Sequence, residues 1–207
     1  MVVFKFKIIL IGDGAVGKTS LLYRFCQGKF SSNYMITIGA NFLKKEIKIN
    51  NKDSADLIIW DIAGQFEKFG RFHDTFYKNA NGALLVFDLL QPSTFDSVDK
   101  WHKDVVKVLG KEIPFILIGN KKDLLENIVR PIDEKSSAEY AKEKNSIYIE
   151  TSAKTGLNVE EAFLELTKRM AGIDTKDRKE PKKGKGKKKG RKSRKTLNKS
   201  TDRCSIS

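Results

Sequence analysis

The feature that most constrains this chain is a glycine-rich segment between an apolar run and a helical pattern. Residues 12–19 read Gly-Asp-Gly-Ala-Val-Gly-Lys-Thr, after the apolar run 8–11 and before apolar residues at helical spacing. The glycines let the backbone turn its N–H groups inward, and the next helix points the positive end of its dipole the same way. The sequence therefore predicts a strand, a phosphate-binding loop and a helix.

Two side chains at the end of this segment suit a bound nucleotide. Lys18 can reach the terminal phosphates, and the Thr19 hydroxyl can bind Mg²⁺. A glycine-rich turn without a ligand is the alternative, but the strand and helix on either side favour the phosphate loop. The candidate nucleotide-binding residues here are Asp13, Gly14, Ala15, Val16, Gly17, Lys18, Thr19 and Ser20.

Strand and helix patterns alternate along the first 170 residues. This alternation predicts an α/β fold with a six-stranded, mostly parallel sheet, one antiparallel strand, and helices on both faces. Ligands of such a sheet bind at the carboxyl ends of the strands. Ser93 or Thr94 can cap one helix and Asn158 another. The predicted strands are 2–11, 42–49, 55–62, 83–87, 115–119 and 147–149.

Charge divides the chain into two parts. The 207 residues carry a net charge of +14, but residues 171–207 contain 15 Lys or Arg against 4 Asp or Glu, which leaves 25 against 22 before them. We therefore expect a globular domain over 1–172 and a disordered basic tail over 173–207. We expect no signal peptide and no transmembrane helix, because no apolar run reaches about 18 residues. Two distant cysteines favour a reducing compartment.

A second group of polar residues follows the apolar run 57–60. Asp61 ends that run, so its carboxylate emerges at the same sheet edge as the phosphate loop, where it suits Mg²⁺. Gly64 allows a backbone N–H to approach a terminal phosphate, and the Gln65 amide can both accept from and donate to water. Together, Gly64 and Gln65 can detect the terminal phosphate and support its hydrolysis.

A third group points to the base. Asn120-Lys121-Lys122-Asp123 follows the strand 115–119, and Ser152-Ala153-Lys154 follows the strand 147–149. A carboxylate such as Asp123 can accept hydrogen bonds from the ring N–H and the amine of guanine, and it repels the acceptor edge of adenine. A backbone N–H of the second segment can donate to the guanine oxygen. Together they indicate guanine specificity.

On these motifs the chain resembles the Ras superfamily of small GTPases, and the Rab branch most closely, over residues 4–170. The resemblance implies a P-loop NTPase G domain that binds GTP or GDP with Mg²⁺. It implies that Thr37 ligates Mg²⁺ beside Thr19 and Asp61, that Phe30 packs against the base, and that Lys121 braces the nucleotide. By the same resemblance Gln65 positions the attacking water, so the catalytic candidates are Gln65 and Lys18.

The resemblance also implies partners. The loops around Thr37 and Gln65 would be switches that meet an exchange factor, a GTPase-activating protein and effectors, in vesicle trafficking or signalling. No arginine lies between Phe30 and Thr37, so we expect slow hydrolysis that needs an activating protein. The chain departs from the Rab pattern after Gln65, where 65–69 reads as one residue longer.

The tail ends in Cys204-Ser205-Ile206-Ser207, which is nearer the Ras type of prenylation box than the paired cysteines of Rab proteins. Cys204 is therefore the candidate lipidation site, and the basic run 182–195 suits the anionic cytosolic face of a membrane. A tail that binds nucleic acid is the alternative. It is less favoured, because no aromatic residue follows position 170 to stack on a base.

A P-loop kinase is a further alternative function, and it is disfavoured because it leaves the segment 120–123 unexplained.

Three further residues have more than one interpretation. His73 and His102 lack partners at metal-binding spacing, so surface or helix positions are favoured over metal ligation. Trp101 fits either a partner site or the core.

Overall fold

The computed structural model describes residues 2–33, 36–64, 72–126 and 128–173. A six-stranded sheet organises these residues, in the order β2-β3-β1-β4-β5-β6. The strands are β1 Val3–Ile11, β2 Ala40–Lys48, β3 Ser54–Ile62, β4 Gly82–Asp88, β5 Phe115–Asn120 and β6 Ile147–Glu150.

The pairing of the strands confirms the predicted mixture of directions. β1 lies parallel to both β3 and β4, and β5 lies parallel to β4 and β6. Strand β2 is antiparallel to β3, with Ala40 opposite Ile62 and Lys48 opposite Ser54. The predicted antiparallel strand is thus β2, and residues 50–53 close its hairpin with β3.

Six helices and one short 3₁₀ helix accompany the strands in the described ranges. The helix that the sequence predicts after the phosphate loop is the first of them. The helices are α1 Lys18–Gln27, α2 Phe72–Tyr77, α3 Pro92–Asp96, α4 Val98–Leu109, α5 Glu134–Glu143 and α6 Val159–Met170, and the 3₁₀ helix is Lys122–Leu125.

The core lies in two layers, one on each face of the sheet. Successive side chains of a strand point to opposite faces, so Ile8 of β1 joins the layer under α1 and α6, while Ile9 joins the layer under α4. On the first face the rings of Phe25 and Phe163 stack with centroids 3.8 Å apart and join α1 to α6. Both faces are buried, as the continuous apolar runs of a parallel sheet require.

The predicted helix caps are wrong in their details. Thr94 lies inside the short helix α3, where its hydroxyl donates to the carbonyl of Gln91 at 2.7 Å and accepts from the backbone N–H of Asp88 at 3.0 Å. Asn158 does precede α6, but its side-chain amide donates to the carbonyl of Glu150 at 2.8 Å and makes no cap bond. Both side chains join loops instead of capping helices.

In the described ranges, no helix has the length and apolar character needed to cross a membrane. The tail from residue 174, Cys204 and the catalytic candidate Gln65 lie outside the described residues. The domain boundary at residues 172 and 173 therefore stays a prediction.

The close packing of Gly12 generates a test of the fold. A Cβ at Gly12 would lie 2.0 Å from the carbonyl oxygen of Val86, at a φ of +134°. We expect Gly12→Ala to lower the free energy of unfolding by more than about 3 kcal/mol, because backbone must move. Urea unfolding without nucleotide measures this.

Gly110 provides the matched control. Its φ is +66°, yet nothing lies within 4 Å of an added Cβ. Gly110→Ala should therefore lower the free energy of unfolding by only about 1–2 kcal/mol, which is the cost of a left-handed backbone conformation for alanine. Equal losses in the two variants would contradict the packing described at Gly12.

Candidate functional site

The phosphate loop curves tightly where β1 ends and α1 begins. Gly12, Ala15 and Gly17 have φ values of 134°, 63° and 95°. A Cβ at Gly17 would lie 2.4 Å from the side-chain nitrogen of Asn120. Glycine is therefore required at both ends of the loop, and Ala15 accepts a left-handed conformation at a cost of about 1 kcal/mol. The tight curve can direct successive N–H groups inward.

Lys18 lies beneath this loop and is 5% exposed. Its ammonium donates to the carbonyl oxygens of Gly12 at 2.8 Å and Asp13 at 2.7 Å. Burial lowers the pKa of Lys18 to about 8, although the negative charges of Asp61 and Asp13 oppose that change. A phosphate beside this ammonium would favour its charged form.

Three oxygens from three separate segments meet next to the loop. The Thr19 hydroxyl donates to Asp61 Oδ2 at 2.5 Å, and it lies 2.8 Å from the hydroxyl of Thr37. Asp61 is fully buried, and its Oδ1 has no hydrogen-bond partner among the described residues. Burial raises the pKa of Asp61, and the Thr19 hydroxyl, the Lys18 charge and the Thr37 hydroxyl partly oppose the rise.

This donor set fits a small, hard cation. Magnesium prefers oxygen ligands and is held by few of them in proteins, and the unpartnered carboxylate oxygen of Asp61 is a buried polar atom that a cation would satisfy. The described residues contain no group of three or more His, Cys, Asp or Glu at metal-binding distance. Two hydroxyls and one carboxylate therefore form the best candidate metal site in the described ranges.

Gly64 packs directly on the phosphate loop. An added Cβ would lie 2.3 Å from the carbonyl carbon of Asp13 and 2.4 Å from the backbone nitrogen of Gly14. A larger residue at this position would displace the loop, so the close approach of the two backbones requires glycine here. The neighbouring Gln65 lies outside the described residues.

The segments predicted to read the base lie side by side at the ends of β5 and β6. The Ser152 hydroxyl donates to Asp123 Oδ1 at 2.6 Å, and the ammonium of Lys154 is 3.9 Å from Asp123 Oδ2. The backbone N–H of Ala153 donates to the side-chain oxygen of Asn120 at 3.3 Å. The carboxylate and the backbone donor predicted to contact guanine are thus neighbours.

Lys121 belongs to the first of these segments, and Phe30 lies near Arg24, whose side chain contacts the second. Lys121 has a left-handed φ of 70°, and its ammonium pairs with Asp88 at 2.7 Å at the end of β4. The Phe30 ring is 38% exposed and lies 6.0 Å from the guanidinium carbon of Arg24. Phe30 therefore remains partly exposed beside Arg24.

Comparison with known proteins identifies the family. Residues 7–172 match the Ras family. The chain is 40% identical over 183 residues to Ras-related protein Rab-21 of Homo sapiens, covering 88% of this chain and 79% of that protein. It is 41% identical over 167 residues to Ras-related protein RABG3b of Arabidopsis thaliana, covering 78% of this chain and 81% of that protein.

This chain belongs to the Ras family. It is a Rab-like small GTPase, a GTP-binding switch of vesicle trafficking, which is one of the two roles that the resemblance implied. Proteins of this family bind GTP and GDP, generally require Mg²⁺, and generally interact with exchange factors, activating proteins and effectors. The assignment of individual residues to those roles in this Rab-like GTPase remains a proposal.

Two residues of this Rab-like GTPase support the segments predicted to read the base, and the sequence contains no signal for that supporting role. Arg24, on α1, donates to the carbonyl of Ala153 at 2.7 Å and to that of Lys154 at 2.6 Å. Glu150 pairs with Lys122 at 2.7 Å. These contacts span 129 or 130 residues for Arg24, so no local pattern could reveal them.

Glu150 is the buried centre of an ionic network whose cationic side chains are partly exposed. Its side chain is 5% exposed, pairs with Lys122 and Arg130, and accepts from the Tyr148 hydroxyl at 2.8 Å. Burial by itself would raise its pKa, but the bonds from Arg130, Lys122 and Tyr148 outweigh that effect and lower the pKa to about 2. The network joins the segment 120–125 to β6 in the ionised state.

The lowered pKa of Glu150 predicts a pH dependence. Because the folded value lies below the unfolded value of 4.5, the stabilisation is complete above about pH 5 and is lost as the pH falls toward 2. We expect Glu150→Gln to lower the free energy of unfolding by about 1–3 kcal/mol at pH 7. Urea unfolding between pH 7 and pH 3 should show this difference shrinking with the pH.

Asp99 supplies the control, because it pairs with Lys103 at 2.6 Å on the surface of α4. Asp99→Asn should change stability by less than about 1 kcal/mol at pH 7. A Glu150→Gln difference that stays constant from pH 7 to pH 3 would argue against the ionised network.

Proposed function

We propose that this site binds a guanine nucleotide through Asp123 and the neighbouring segment 152–154. The observation that carries the proposal is the position of the Asp123 carboxylate, 2.6 Å from the Ser152 hydroxyl and beside a segment that Asn120 ties to the phosphate loop. Asn120 donates to the carbonyl of Val16 at 2.9 Å. One side chain thus sets the distance between the two ends of the site.

Thr19, Thr37 and Asp61 would hold Mg²⁺ beside the phosphates. The cation would neutralise the charge that develops on the transferred phosphoryl group. Lys18 would stabilise the same charge from the loop side, since its ammonium already lies under the loop, 2.7 Å from the carbonyl of Asp13. The packing of Gly64 against the loop supports a backbone contact to the terminal phosphate.

Hydrolysis needs an oriented water, and Gln65 is the residue proposed to supply that orientation. Its amide can accept from the water while donating to a phosphate oxygen. No arginine occurs between Phe30 and Thr37 to stabilise the transition state from within the chain. Such an arginine changes rates by about 10³ to 10⁵ in well-studied GTPases, so we propose that an activating protein provides the missing charge.

The loop around Thr37 is proposed as one surface for regulators and effectors. Ile36 and Ile38 are 57% and 81% exposed on either side of Thr37. Apolar side chains beside a residue that contacts the nucleotide site can report the state of that site to a partner. The loop around Gln65 is proposed to act with it.

Guanine specificity can be tested at Asp123. Asp123→Asn removes two charge-assisted hydrogen bonds to the base, which should weaken GDP and GTP binding by about 3–6 kcal/mol. The amide donor should at the same time favour xanthine nucleotides, whose edge offers an acceptor. Titration of fluorescent nucleotides measures both affinities.

The matched control is Asp99→Asn, which makes the same change in a carboxylate on α4 that pairs with Lys103. It should leave both affinities unchanged within about twofold, as is usual for a surface substitution. An Asp123→Asn protein that binds GTP as tightly as the parent would show that the base is read elsewhere.

We also propose that the tail anchors the GTPase to the cytosolic face of a membrane by two signals. A lipid on Cys204 would supply one, yet a single chain such as myristoyl gives only about 10⁴ M⁻¹. The basic run 182–195 would supply the other. If about five of its charges meet anionic lipid at roughly 1 kcal/mol each, the gain is near 5 kcal/mol.

Salt dependence tests this second proposal. Binding of the lipidated protein to anionic vesicles should weaken steeply between about 0.1 and 0.5 M salt, while binding to neutral vesicles should change little, because salt screens exposed charges. Cys204→Ser should leave the protein largely cytosolic in cells. Membrane retention of Cys204→Ser that nuclease treatment abolishes would instead favour a tail that binds nucleic acid.

A further inference from the structure

One hydrogen bond joins the phosphate loop to a helix that contributes no predicted site residue. Trp101 lies on α4, is 3% exposed, and packs in the core layer that also contains Val105. Its indole Nε1 donates to Asp13 Oδ1 at 2.6 Å, across 88 residues of sequence. This burial shows that Trp101 belongs to the core and not to an exposed partner site. Its indole N–H nevertheless donates to a residue of the phosphate loop.

Asp13 is held from three directions. Its carbonyl oxygen accepts from the ammonium of Lys18 at 2.7 Å, and its backbone packs against Gly64. Its carboxylate accepts from Trp101. The carbonyl and the carboxylate of one residue thus have different partners, and the partner of the carboxylate is anchored in the core.

A carboxylate in a phosphate-binding loop repels the negatively charged phosphates that the loop is proposed to bind. Asp13 carries the same sign of charge as the proposed ligand, and its nearby negative charge already acts on Lys18. If the carboxylate turned toward Lys18, it would compete with phosphate oxygens for that ammonium and repel them. A bond from a rigid, buried indole to the carboxylate is charge-assisted and prevents this turn.

We propose that Trp101 is a positioning residue of the phosphate loop, whose indole N–H holds the Asp13 carboxylate against α4 and leaves Lys18 available to the nucleotide phosphates. The inference rests on the proposed guanine-nucleotide site. It differs from a packing role for Trp101, because packing alone would not require the N–H or the carboxylate.

The test compares nucleotide release from two core variants of the same helix in the full-length protein. Trp101→Phe keeps an aromatic ring and removes the N–H, while Val105→Ala perturbs the same core layer one turn away without touching the loop. With GDP carrying a fluorescent group, Trp101→Phe should raise the dissociation rate about tenfold, as expected for a lost hydrogen bond to a charged group. Val105→Ala should change the rate by less than about twofold.

A double-mutant cycle shows whether the indole acts through Asp13. In an Asp13→Ala background, Trp101→Phe should change the dissociation rate by no more than about twofold, because the carboxylate that it positions is gone. An undiminished effect of Trp101→Phe in that background would overturn the proposal. Equal rates for Trp101→Phe and Val105→Ala would overturn it as well.

A spectroscopic measurement covers the case in which Trp101→Phe fails to fold. Trp60 and Trp101 are the two tryptophans of the chain, so Trp60→Phe assigns the indole N–H resonance of Trp101. A bond to a carboxylate should place that resonance downfield and slow its exchange with water, and Asp13→Ala should remove both signatures. A Trp101 resonance that Asp13→Ala leaves unchanged would overturn the inference.

The outcomes also separate this inference from the proposed function. If the parent protein does not bind labelled GDP in the presence of Mg²⁺, the proposed site fails. If it binds GDP and the Trp101 signatures are missing, only the positioning role fails.

Discussion

The site depends on the hydrogen bonds of one buried side-chain amide, that of Asn120. Its nitrogen donates to the carbonyl of Val16 in the phosphate loop, and its oxygen accepts from the Thr151 hydroxyl and the Ala153 N–H. Asn120 is 1% exposed, so each of these bonds would be costly to leave unmade. A side-chain amide offers both donors and an acceptor in this space, so the buried Asn120 fixes the spacing between the phosphate loop and the segment after β6.

Much of this architecture could be predicted from local sequence. The apolar run in β1 is buried on both faces, so its alternate side chains Ile8 and Ile9 enter opposite core layers, and a parallel sheet with helices on both sides follows. The carboxyl ends of parallel strands then meet at one edge. That rule alone brings Asp61, at the end of β3, to Thr19, with a distance of 2.5 Å.

The rest required contacts between residues far apart in the chain. Thr94 has the sequence signature of a cap, yet the end of β4 offers its hydroxyl a better-placed backbone partner at Asp88, so tertiary contact overrides local preference. Glu150 and Trp101 carry no motif of their own. Glu150 contacts Lys122, and Trp101 contacts Asp13. The fold brings each pair together, and the spacing of these residues in the sequence does not predict either contact.

The loop that carries Thr37 is the part of the site that we propose moves with the nucleotide. Its end is held where the N–H of Ala63 donates to the carbonyl of Gly39 at 3.0 Å. Thr37 itself is tied to the site by its hydroxyl, 2.8 Å from that of Thr19, while Ile36 and Ile38 remain exposed. A ligand can shift two arrangements of a loop only by the difference in its affinity for them. One or two contacts that are present in only one arrangement, together worth about 1–3 kcal/mol, change the ratio of the two arrangements about 5- to 150-fold. If Ile38 were instead buried in the core, releasing the loop would cost at least as much, and the nucleotide could not control the loop as proposed.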